Sequence, residues 1–392
     1  MTNSTVRSLF VLHVEANTEY AIAPIERLFF ENAMVLARGD VALTHFAYPG
    51  FSRGHPGTLP ADHPNIFAYD FADDSPANVR WLADYVRRHE IELVVFFDIR
   101  PTHPLFAQLR RSGARAIIGY WGAPMSSLMP AWKLVLKRLQ MAISPSRLDS
   151  LIFESHAMAD TATLGRGVPE AMIDIVYQGV DTQVYRPATN DHVRRIFGIP
   201  SDRKIVVYAG HMEERKGVPT LVEAMIELLA RRRRMDVQFL LFGNKGAESE
   251  PYARRYAGLG IQDRIVFGGY RADLAACFPS CDIGVVPTSG WDSFPRSPIE
   301  MAACGLPLAA ARIGGVPELV RDEDTGLLFT PGDAVGLADT IERLLDDEVL
   351  RTTLGRNARA FCERNLTLGQ QRQNLLRVFT QRLGMATEET GI

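Results

Sequence analysis

The sequence predicts an α/β protein built from two doubly wound parallel sheets. Short strands that are apolar throughout alternate with amphipathic helices along most of the 392 residues. Such strands are typical of parallel sheets covered on both faces. An alternation sustained this long implies right-handed βαβ units. The length exceeds what one compact core accommodates, so we expect two domains of similar size.

The first domain is predicted at residues 1–182, where an apolar strand and an amphipathic helix recur in turn. Its predicted strands lie at 8–14, 41–47, 93–97, 116–119, 151–154 and 173–177. Its predicted helices lie at 22–36, 76–89, 104–111 and after His156. The pattern breaks after residue 179, where Pro187 and Pro200 occur with Gly, Asp and Asn, which places an interdomain linker at 183–203.

The alternation resumes at Lys204 and predicts a second domain at 204–367, followed by a C-terminal helix within 368–392. The predicted strands lie at 205–209, 237–242, 265–267, 283–286, 306–311 and 327–329, with helices at 218–233, 251–258, 272–278, from Pro298, from Pro317 and within 334–383. Two such domains are expected to face each other across a cleft. Open α/β sheets bind ligands beyond the carboxyl ends of their strands.

Composition excludes several classes of protein. With 46% hydrophobic residues, 23% charged residues and a net charge of -3, the chain has no global attraction to nucleic acid. The basic run at 231–234 ends a predicted helix, where cations interact favourably with the helix dipole. Four cysteines suit a reducing compartment. No signal-peptide pattern or apolar run of ~20 residues occurs, so we expect a cytoplasmic protein.

The stretch at 291–305, WDSFPRSPIEMAACG, sets two carboxylates, Asp292 and Glu300, eight positions apart. If Ser297 is the N-cap and Pro298 the first helical residue, S-P-I-E forms a capping box. Capping alone would then explain Glu300. A ligand-binding role is the alternative, and it requires support from other segments.

Two glycine-containing turns supply that support, at 208–217 (YAGHMEERKG) and 311–318 (ARIGGVPE). Each follows a predicted strand and precedes a helix, and Lys216 lies at one helix start. Backbone N–H groups at helix N-termini favour phosphate. Neither turn has a dinucleotide or P-loop pattern. Turn formation explains each alone, but both beside a carboxylate pair favour a diphosphate site.

Several segments together resemble the donor-binding half of the retaining family 4 glycosyltransferases of the GT-B fold. They are KIVVYAGHMEERKGVPTLVEA, LLFGNKG, IVFGGYRADLAACFPSCDIGVVPTS and DSFPRSPIEMAACGLPLAAARIGGVPELVRDEDTGLLFTPGD, with VYQGVDTQVYRP upstream. The resemblance covers about 148–345. It implies a C-terminal helix that packs back on the first domain, and transfer of a sugar from a UDP- or GDP-type donor to an acceptor hydroxyl with retention of configuration.

The resemblance also assigns donor-side residues. The two acids of the family motif fall on Asp292, facing the donor sugar, and Glu300, holding the ribose. Lys216, with Arg215 beside it, would bind the diphosphate and stabilise the leaving charge. Further donor contacts are implied for Gly210, His211, Gly243, Ser293, Phe294, Pro295 and Arg296. Three of these positions depart from the family: Asp292 replaces Glu, His211 an arginine and Pro295 a glycine.

On the acceptor side the first domain agrees with the family in pattern only. Trp121, with Gly122 beside it, takes the position of a sugar-contacting histidine. The usual glycine-rich turn after the first strand is replaced by residues 15–19, which puts Glu15 and Asn17 on the acceptor side. His103 follows the end of a strand, and we predict that it contacts the reacting sugar or the acceptor.

The resemblance implies no metal and no cofactor apart from the nucleotide-sugar substrate, so the D-x-D pattern at 322–324 is interpreted as a solvated turn. The basic, amphipathic segment at 132–139 predicts a surface helix, with peripheral membrane contact as the alternative. The acceptor, whether a small molecule, a polysaccharide or a lipid-linked sugar, stays open, as does the oligomeric state. A nucleotide-sugar epimerase or hydrolase and a non-catalytic nucleotide-sugar binding protein remain as alternatives.

Overall fold

The computed structural model describes residues 5–17, 22–144 and 146–385. The chain divides into two compact units. Unit 1 comprises Met1–Val176 and Gln371–Ile392, and unit 2 comprises Tyr177–Gln370. Among the described residues, no helix is both long and apolar enough to span a membrane.

Unit 1 is built on an all-parallel sheet of seven strands. The strands are β1 (Ser8–Val11), β2 (Thr44–Tyr48), β3 (Ile66–Ala68), β4 (Leu93–Phe97), β5 (Ala116–Trp121), β6 (Ser150–Phe153) and β7 (Ile173–Ile175). Their order is β3-β2-β1-β4-β5-β6-β7. The helices before residue 177 are α1 (Ala23–Leu36), α2 (Pro76–Arg88), α3 (Pro104–Arg111), α4 (Ala131–Ile143) and α5 (His156–Arg166).

Unit 2 has an all-parallel sheet of six strands in the order β10-β9-β8-β11-β12-β13. The strands are β8 (Lys204–Ala209), β9 (Val237–Phe242), β10 (Ile265–Gly269), β11 (Ile283–Val286), β12 (Leu308–Ala311) and β13 (Gly326–Phe329). The remaining helices are α6 (His192–Phe197), α7 (Val218–Ile226, continued by a π-helical turn Glu227–Arg231), α8 (Glu250–Arg255), α9 (Leu274–Cys277), α10 (Arg296–Ala303), α11 (Val316–Leu319), α12 (Ala334–Asp346), α13 (Glu348–Asn365) and α14 (Leu368–Arg382).

Each predicted strand overlaps a strand of the structure, although the one predicted at 8–14 ends at Val11 and the one predicted at 41–47 begins with the 3-10 helix Val41–Leu43. Every residue of β1, β4 and β9 is buried, as expected for parallel strands covered on both faces. The helices predicted within 334–383 are three, divided where Asp347 accepts from Leu350 N–H at the start of α13 and Thr367 accepts from Gln370 N–H at the start of α14.

The segment predicted as a linker, 183–203, lies inside unit 2. It contains α6, and Val193 and Ile199 are buried in the same core as Ile205. Near the C-terminus, Leu375 and Phe379 of α14 are buried with Phe10, in the core of unit 1. Both segments are therefore integral parts of a hydrophobic core.

Candidate functional site

The candidate site lies at the carboxyl edge of the unit 2 sheet. Strand β8 is flanked by β9 on one side and β11 on the other, so the strand order reverses beside it. Parallel α/β sheets form a ligand-binding crevice where the order reverses. The loops that follow β8, at 210–217, and β11, at 287–295, leave the sheet at this point.

A buried ion pair connects these two loops. Lys216 Nζ lies 2.7 Å from Asp292 Oδ2, and the two side chains are only 19% and 7% exposed. The hydroxyl of Thr288 also donates to Asp292 Oδ2, at 3.3 Å. Charge-assisted hydrogen bonds are stronger than neutral ones, especially away from water. The structure thus brings together the predicted diphosphate-binding lysine and the first predicted carboxylate.

The two loops can approach so closely because residue 217 is glycine. Gly217 has a φ of 74°, and a Cβ atom there would lie 1.7 Å from the carbonyl oxygen of Pro287. The N–H groups of Ser289 and Gly290 each donate to the carbonyl of Arg215 at 3.0 Å. Backbone contacts therefore determine where the side chain of Lys216 begins.

The substitution Gly217→Ala is expected to destabilise unit 2 by more than about 3 kcal/mol, because the methyl group and the carbonyl of Pro287 cannot occupy the same space. Gly198→Ala is the matched control. Gly198 also has a positive φ, 64°, but nothing lies within 4 Å of its added Cβ, so a cost of only about 1–2 kcal/mol is expected. Urea unfolding of both variants measures the difference, and equal costs would contradict the close approach.

Arg215 holds the segment before Asp292. Its guanidinium lies over the Trp291 ring, 4.6 Å from the centroid, and its Nη1 donates to the Trp291 carbonyl at 2.9 Å. Its Nη2 contacts Glu213 at 3.1 Å. Arg215 therefore adds positive charge beside Lys216 and also fixes the loop after β11.

The glycine turn after β12 also positions Asp292. Gly315 N–H donates to the Asp292 carbonyl at 2.9 Å. Gly314 has a φ of 55°, and a Cβ there would lie 2.3 Å from the same oxygen. The N–H of Gly315 was expected to be available for phosphate, but it donates to the Asp292 carbonyl instead. The turn thus acts as a support for the carboxylate.

The predicted capping box at Ser297 is wrong. Helix α10 begins at Arg296, its N-cap is Pro295, and no side chain caps it. Pro298 is tolerated in the first turn because N–H groups there have no partner within the helix. Glu300 accepts from Arg296 Nε at 3.2 Å, one helical turn earlier. Its carboxylate is therefore not occupied by the helix N-terminus.

The carboxyl of Glu300 is only 5% exposed. Burial raises the pKa of this group, while the positive charge of Arg296 and a hydrogen bond from Tyr185 act in the opposite direction. A buried carboxylate beside one half-exposed arginine can accept further hydrogen bonds from hydroxyl groups of a ligand. This arrangement suits a polyhydroxyl ligand such as a ribose.

The other predicted donor-side residues line the same edge. Gly243, with a φ of 110°, brings β9 to the end of β8, since a Cβ there would lie 2.1 Å from the Gly210 carbonyl. Ser293 and Phe294 are buried, and Phe294 packs on Tyr177 with ring centroids 4.9 Å apart. The side chain of His211 is exposed, and its carbonyl accepts from Tyr208 at 2.7 Å.

In unit 1, two predicted acceptor-side residues follow β1. Asn17, in the left-handed region with a φ of 59°, accepts from Gly57 N–H at 2.9 Å, and Glu15 accepts from Ser52. The predicted segment 15–19 ends in Thr18 and Glu19, which lie outside the described residues. Glu15 and Asn17 line a small cavity with Glu26, a residue that the sequence did not indicate. In the sequence, the only indication of Glu26 is that a carboxylate stands among the apolar residues on the core-facing side of α1.

Trp121 and Gly122 follow β5 in unit 1. Gly122 N–H donates to Asp98 Oδ1 at 3.0 Å, and burial raises the pKa of Asp98. The indole N–H of Trp121 is buried and has no hydrogen-bond partner within the described part of the chain. A buried donor without a partner is costly, so it indicates a place for a ligand or water. Asp98 was not predicted, although its left-handed φ of 61° is unusual for a non-glycine residue.

His103 serves a structural purpose in unit 1. Its Nδ1 accepts from Leu105 N–H at 3.2 Å and caps α3. Its Nε2 lies 2.7 Å from Asp74 Oδ1. Both ring nitrogens are engaged, so capping is sufficient to explain this histidine, and its catalytic role stays a prediction.

The acidic segment at 322–324 makes contacts typical of a surface turn. Asp322 pairs with Arg312, and Glu323 pairs with Arg343. Elsewhere in unit 2, ligand atoms of His192, Asp273 and Cys277 lie within 4.8 Å of one another. The Nε of Arg271 already donates to Asp273 at 2.7 Å, and hydrogen bonding to Arg271 holds the pKa of that carboxyl below the usual range. A guanidinium thus already neutralises the carboxylate there.

Comparison with known proteins matches the sequence around this site to a family model. Residues 203–347 match the model of the family described as Glycosyl transferases group 1. They include the Lys216–Asp292 pair and Glu300. The resemblance noted in the sequence is confirmed for this part of the chain.

Curated relatives match about half of the chain. D-inositol 3-phosphate glycosyltransferase from Corynebacterium aurimucosum is 36% identical over 195 residues, which are 47% of this chain and 46% of the relative. N-acetyl-alpha-D-glucosaminyl L-malate synthase from Bacillus anthracis is 30% identical over 210 residues, 54% of this chain and 52% of the relative. The chain thus spans about half the length of the curated relatives it matches.

Solved structures extend the similarity of fold to nearly the whole chain. A glycosyltransferase from Rickettsia africae ESF-5 has a TM-score of 0.79 at 18% identity, covering 98% of this chain and 100% of that one. Anabaena Alr3699/HepE in complex with UDP has a TM-score of 0.73 at 18% identity, covering 96% and 100%. The predicted fold class, GT-B with two doubly wound parallel sheets, is confirmed.

Proposed function

We propose that the protein transfers a sugar from a nucleoside-diphosphate sugar to an acceptor hydroxyl, with retention of configuration at the anomeric carbon. The observation that carries the proposal is the buried Lys216–Asp292 pair at the edge where the strand order of unit 2 reverses. A partly buried lysine beside a buried carboxylate offers a cation for a diphosphate and an acceptor for sugar hydroxyls.

Lys216 can hold Asp292 and a diphosphate at the same time. An ammonium group has three donors, and Asp292 takes one of them at 2.7 Å. We assign the others to diphosphate oxygens, with Arg215 and Arg296 adding positive charge nearby. Asp292 Oδ2 already receives Lys216 and Thr288, so Oδ1 is assigned to a hydroxyl of the donor sugar.

The proposed reaction breaks the bond between the anomeric carbon and the diphosphate oxygen, and Lys216 stabilises the charge that develops on that oxygen. Fixed cations in a partly desolvated site give their largest contribution to such a step. The acceptor hydroxyl attacks from the face that the diphosphate leaves, and its proton passes to the departing phosphate oxygen. The step requires no protein nucleophile, and we propose that no metal or cofactor takes part.

The donor is proposed to be a UDP- or GDP-type sugar. Support for UDP comes from the neighbour of similar fold that was solved with UDP and, in another structure, with UDP-glucose. An epimerase or hydrolase on the same fold would consume the donor without an acceptor, whereas a transferase should hydrolyse it slowly. A non-catalytic binding protein would leave the donor intact.

Thermal unfolding with a panel of UDP-, GDP-, ADP- and TDP-sugars tests the donor site. One class is expected to stabilise the protein by about 2.7 kcal/mol at a hundredfold excess over its Kd. Lys204→Met is the control, because Lys204 pairs with Asp282 at the opposite end of β8 and should leave the stabilisation unchanged. If no nucleotide sugar raises the melting temperature, the proposed donor site is wrong.

A further inference from the structure

Helix α4 of unit 1 presents an apolar face to solvent. Five large apolar side chains on it are between 54% and 81% exposed. They are Trp132, Val135, Leu136, Leu139 and Ile143. Their spacing of three, four and seven positions places them on one side of the helix. Leu128, just before the helix, is 69% exposed and extends this apolar face.

The helix is held against α5 by its other side. Leu134 and Met141 lie opposite the apolar face, and Met141 is buried. A Cβ atom at Gly167, the C-cap of α5, would lie 2.9 Å from the backbone nitrogen of Arg138, so α4 runs close to this glycine. Because the inner side already packs in the protein, the outward apolar residues require another explanation.

Cations flank the apolar face. Lys133 and Lys137 lie on one side of it and Arg138 on the other, according to helical spacing. Residues 122–148 contain no Asp or Glu, although the chain has 46 acidic residues. Lys133 Nζ lies 5.3 Å from the ring of Trp132. An apolar face with a tryptophan and flanking cations is typical of helices that lie in the interface of an anionic membrane.

We infer that α4 and Leu128 dock unit 1 on an anionic lipid surface, with the helix parallel to the membrane plane. A second copy of the chain fits less well, because pairing two such faces would bring like charges together without carboxylates to neutralise them. Lipid headgroups supply the missing negative charge. This inference concerns a partner of the protein and goes beyond the proposed transfer of a sugar.

Sedimentation with vesicles tests the inference, and it requires neither donor nor acceptor. The protein is expected to bind phosphatidylcholine vesicles that contain phosphatidylglycerol and not vesicles of phosphatidylcholine alone, and salt should weaken the binding. Trp132 fluorescence should shift to shorter wavelength on binding, and Trp132→Phe should remove that shift. Equal binding to both vesicles, or to neither, would overturn the inference.

Variants separate the two parts of the surface. Leu136→Ser with Leu139→Ser should lower vesicle binding at least about tenfold, since the apolar area that enters the interface is lost. Lys137→Gln and Arg138→Gln should each lower binding to anionic vesicles about fivefold. Val335→Ser with Val349→Ser, at exposed apolar positions of α12 and α13, is the matched control and should bind like the wild type.

Sedimentation velocity without lipid tests the alternative that a second copy of the chain covers the apolar face of α4. A monomer at micromolar concentration, unchanged by Leu136→Ser with Leu139→Ser, is expected. A dimer that this double substitution dissociates, together with no preference for anionic vesicles, would show that a second copy covers α4. Because these side chains are exposed, the variants should keep the unfolding midpoint of the wild type.

Discussion

Lys216→Met is expected to lower kcat for sugar transfer by about two to three orders of magnitude. The lysine is assigned to the oxygen on which charge develops as the diphosphate leaves, and removing one such donor typically has an effect of this size. KM for the donor should rise less, because part of the interaction forms only as the bond breaks. Initial rates with the nucleotide sugar identified by thermal unfolding measure both constants.

Loss of folding must be separated from loss of catalysis here. Lys216→Met leaves the carboxylate of Asp292, only 7% exposed, without its ionic partner, and breaking a buried pair in this way costs about 3–5 kcal/mol. The double variant Lys216→Met, Asp292→Asn removes both charges and should recover most of the stability. It should still be inactive. If the double variant transferred sugar at the wild-type rate, the pair would be structural only.

The sequence predicted the two sheets because their strands are buried on both faces and therefore apolar throughout. Edge strand β3 was not predicted, since none of its three residues is fully buried and they are too few to show a pattern. Helix α6 was interpreted as linker because two prolines and several turn-forming residues surround it. The anchoring of this segment by Val193 and Ile199 depends on tertiary contacts, which local propensity does not report.

The sequence predicted which residues form the candidate site, but it did not predict their geometry. Lys216 and Asp292 are far apart in sequence, and only the resemblance indicated that they act together. The start of α10 was misplaced because Ser-Pro is a strong N-cap signal, whereas the helix begins two residues earlier, at Arg296. Gly314 is required because the backbone of Asp292 lies against it. This is a tertiary contact, which no local sequence pattern reveals.

Glu300→Gln is expected to raise the Kd for the nucleotide sugar about ten- to a hundredfold, with no decrease in melting temperature. Hydrogen bonds from hydroxyl groups to a buried carboxylate are worth about 1.5–3 kcal/mol, and an amide replaces one acceptor oxygen by a donor. No capping bond is lost, because α10 begins at Arg296 without a side-chain cap. Isothermal titration and thermal unfolding of the same samples measure the two effects.

Glu227→Gln is the matched control, since Glu227 also pairs with an arginine four residues away, Arg231, but lies in the π-helical turn that follows α7, at the opposite end of that helix from Lys216. It should leave the Kd unchanged.

The pH dependence of stability adds a second check on Glu300. Burial raises the pKa of Glu300 above 4.5, so its carboxyl group binds a proton more tightly in the native state than in the unfolded state. The free energy of unfolding therefore falls as pH rises from about 4.5 through the raised pKa. Glu300→Gln should remove that fall. An unchanged Kd together with a lower melting temperature would contradict a role in ligand binding and restore Glu300 to a structural one.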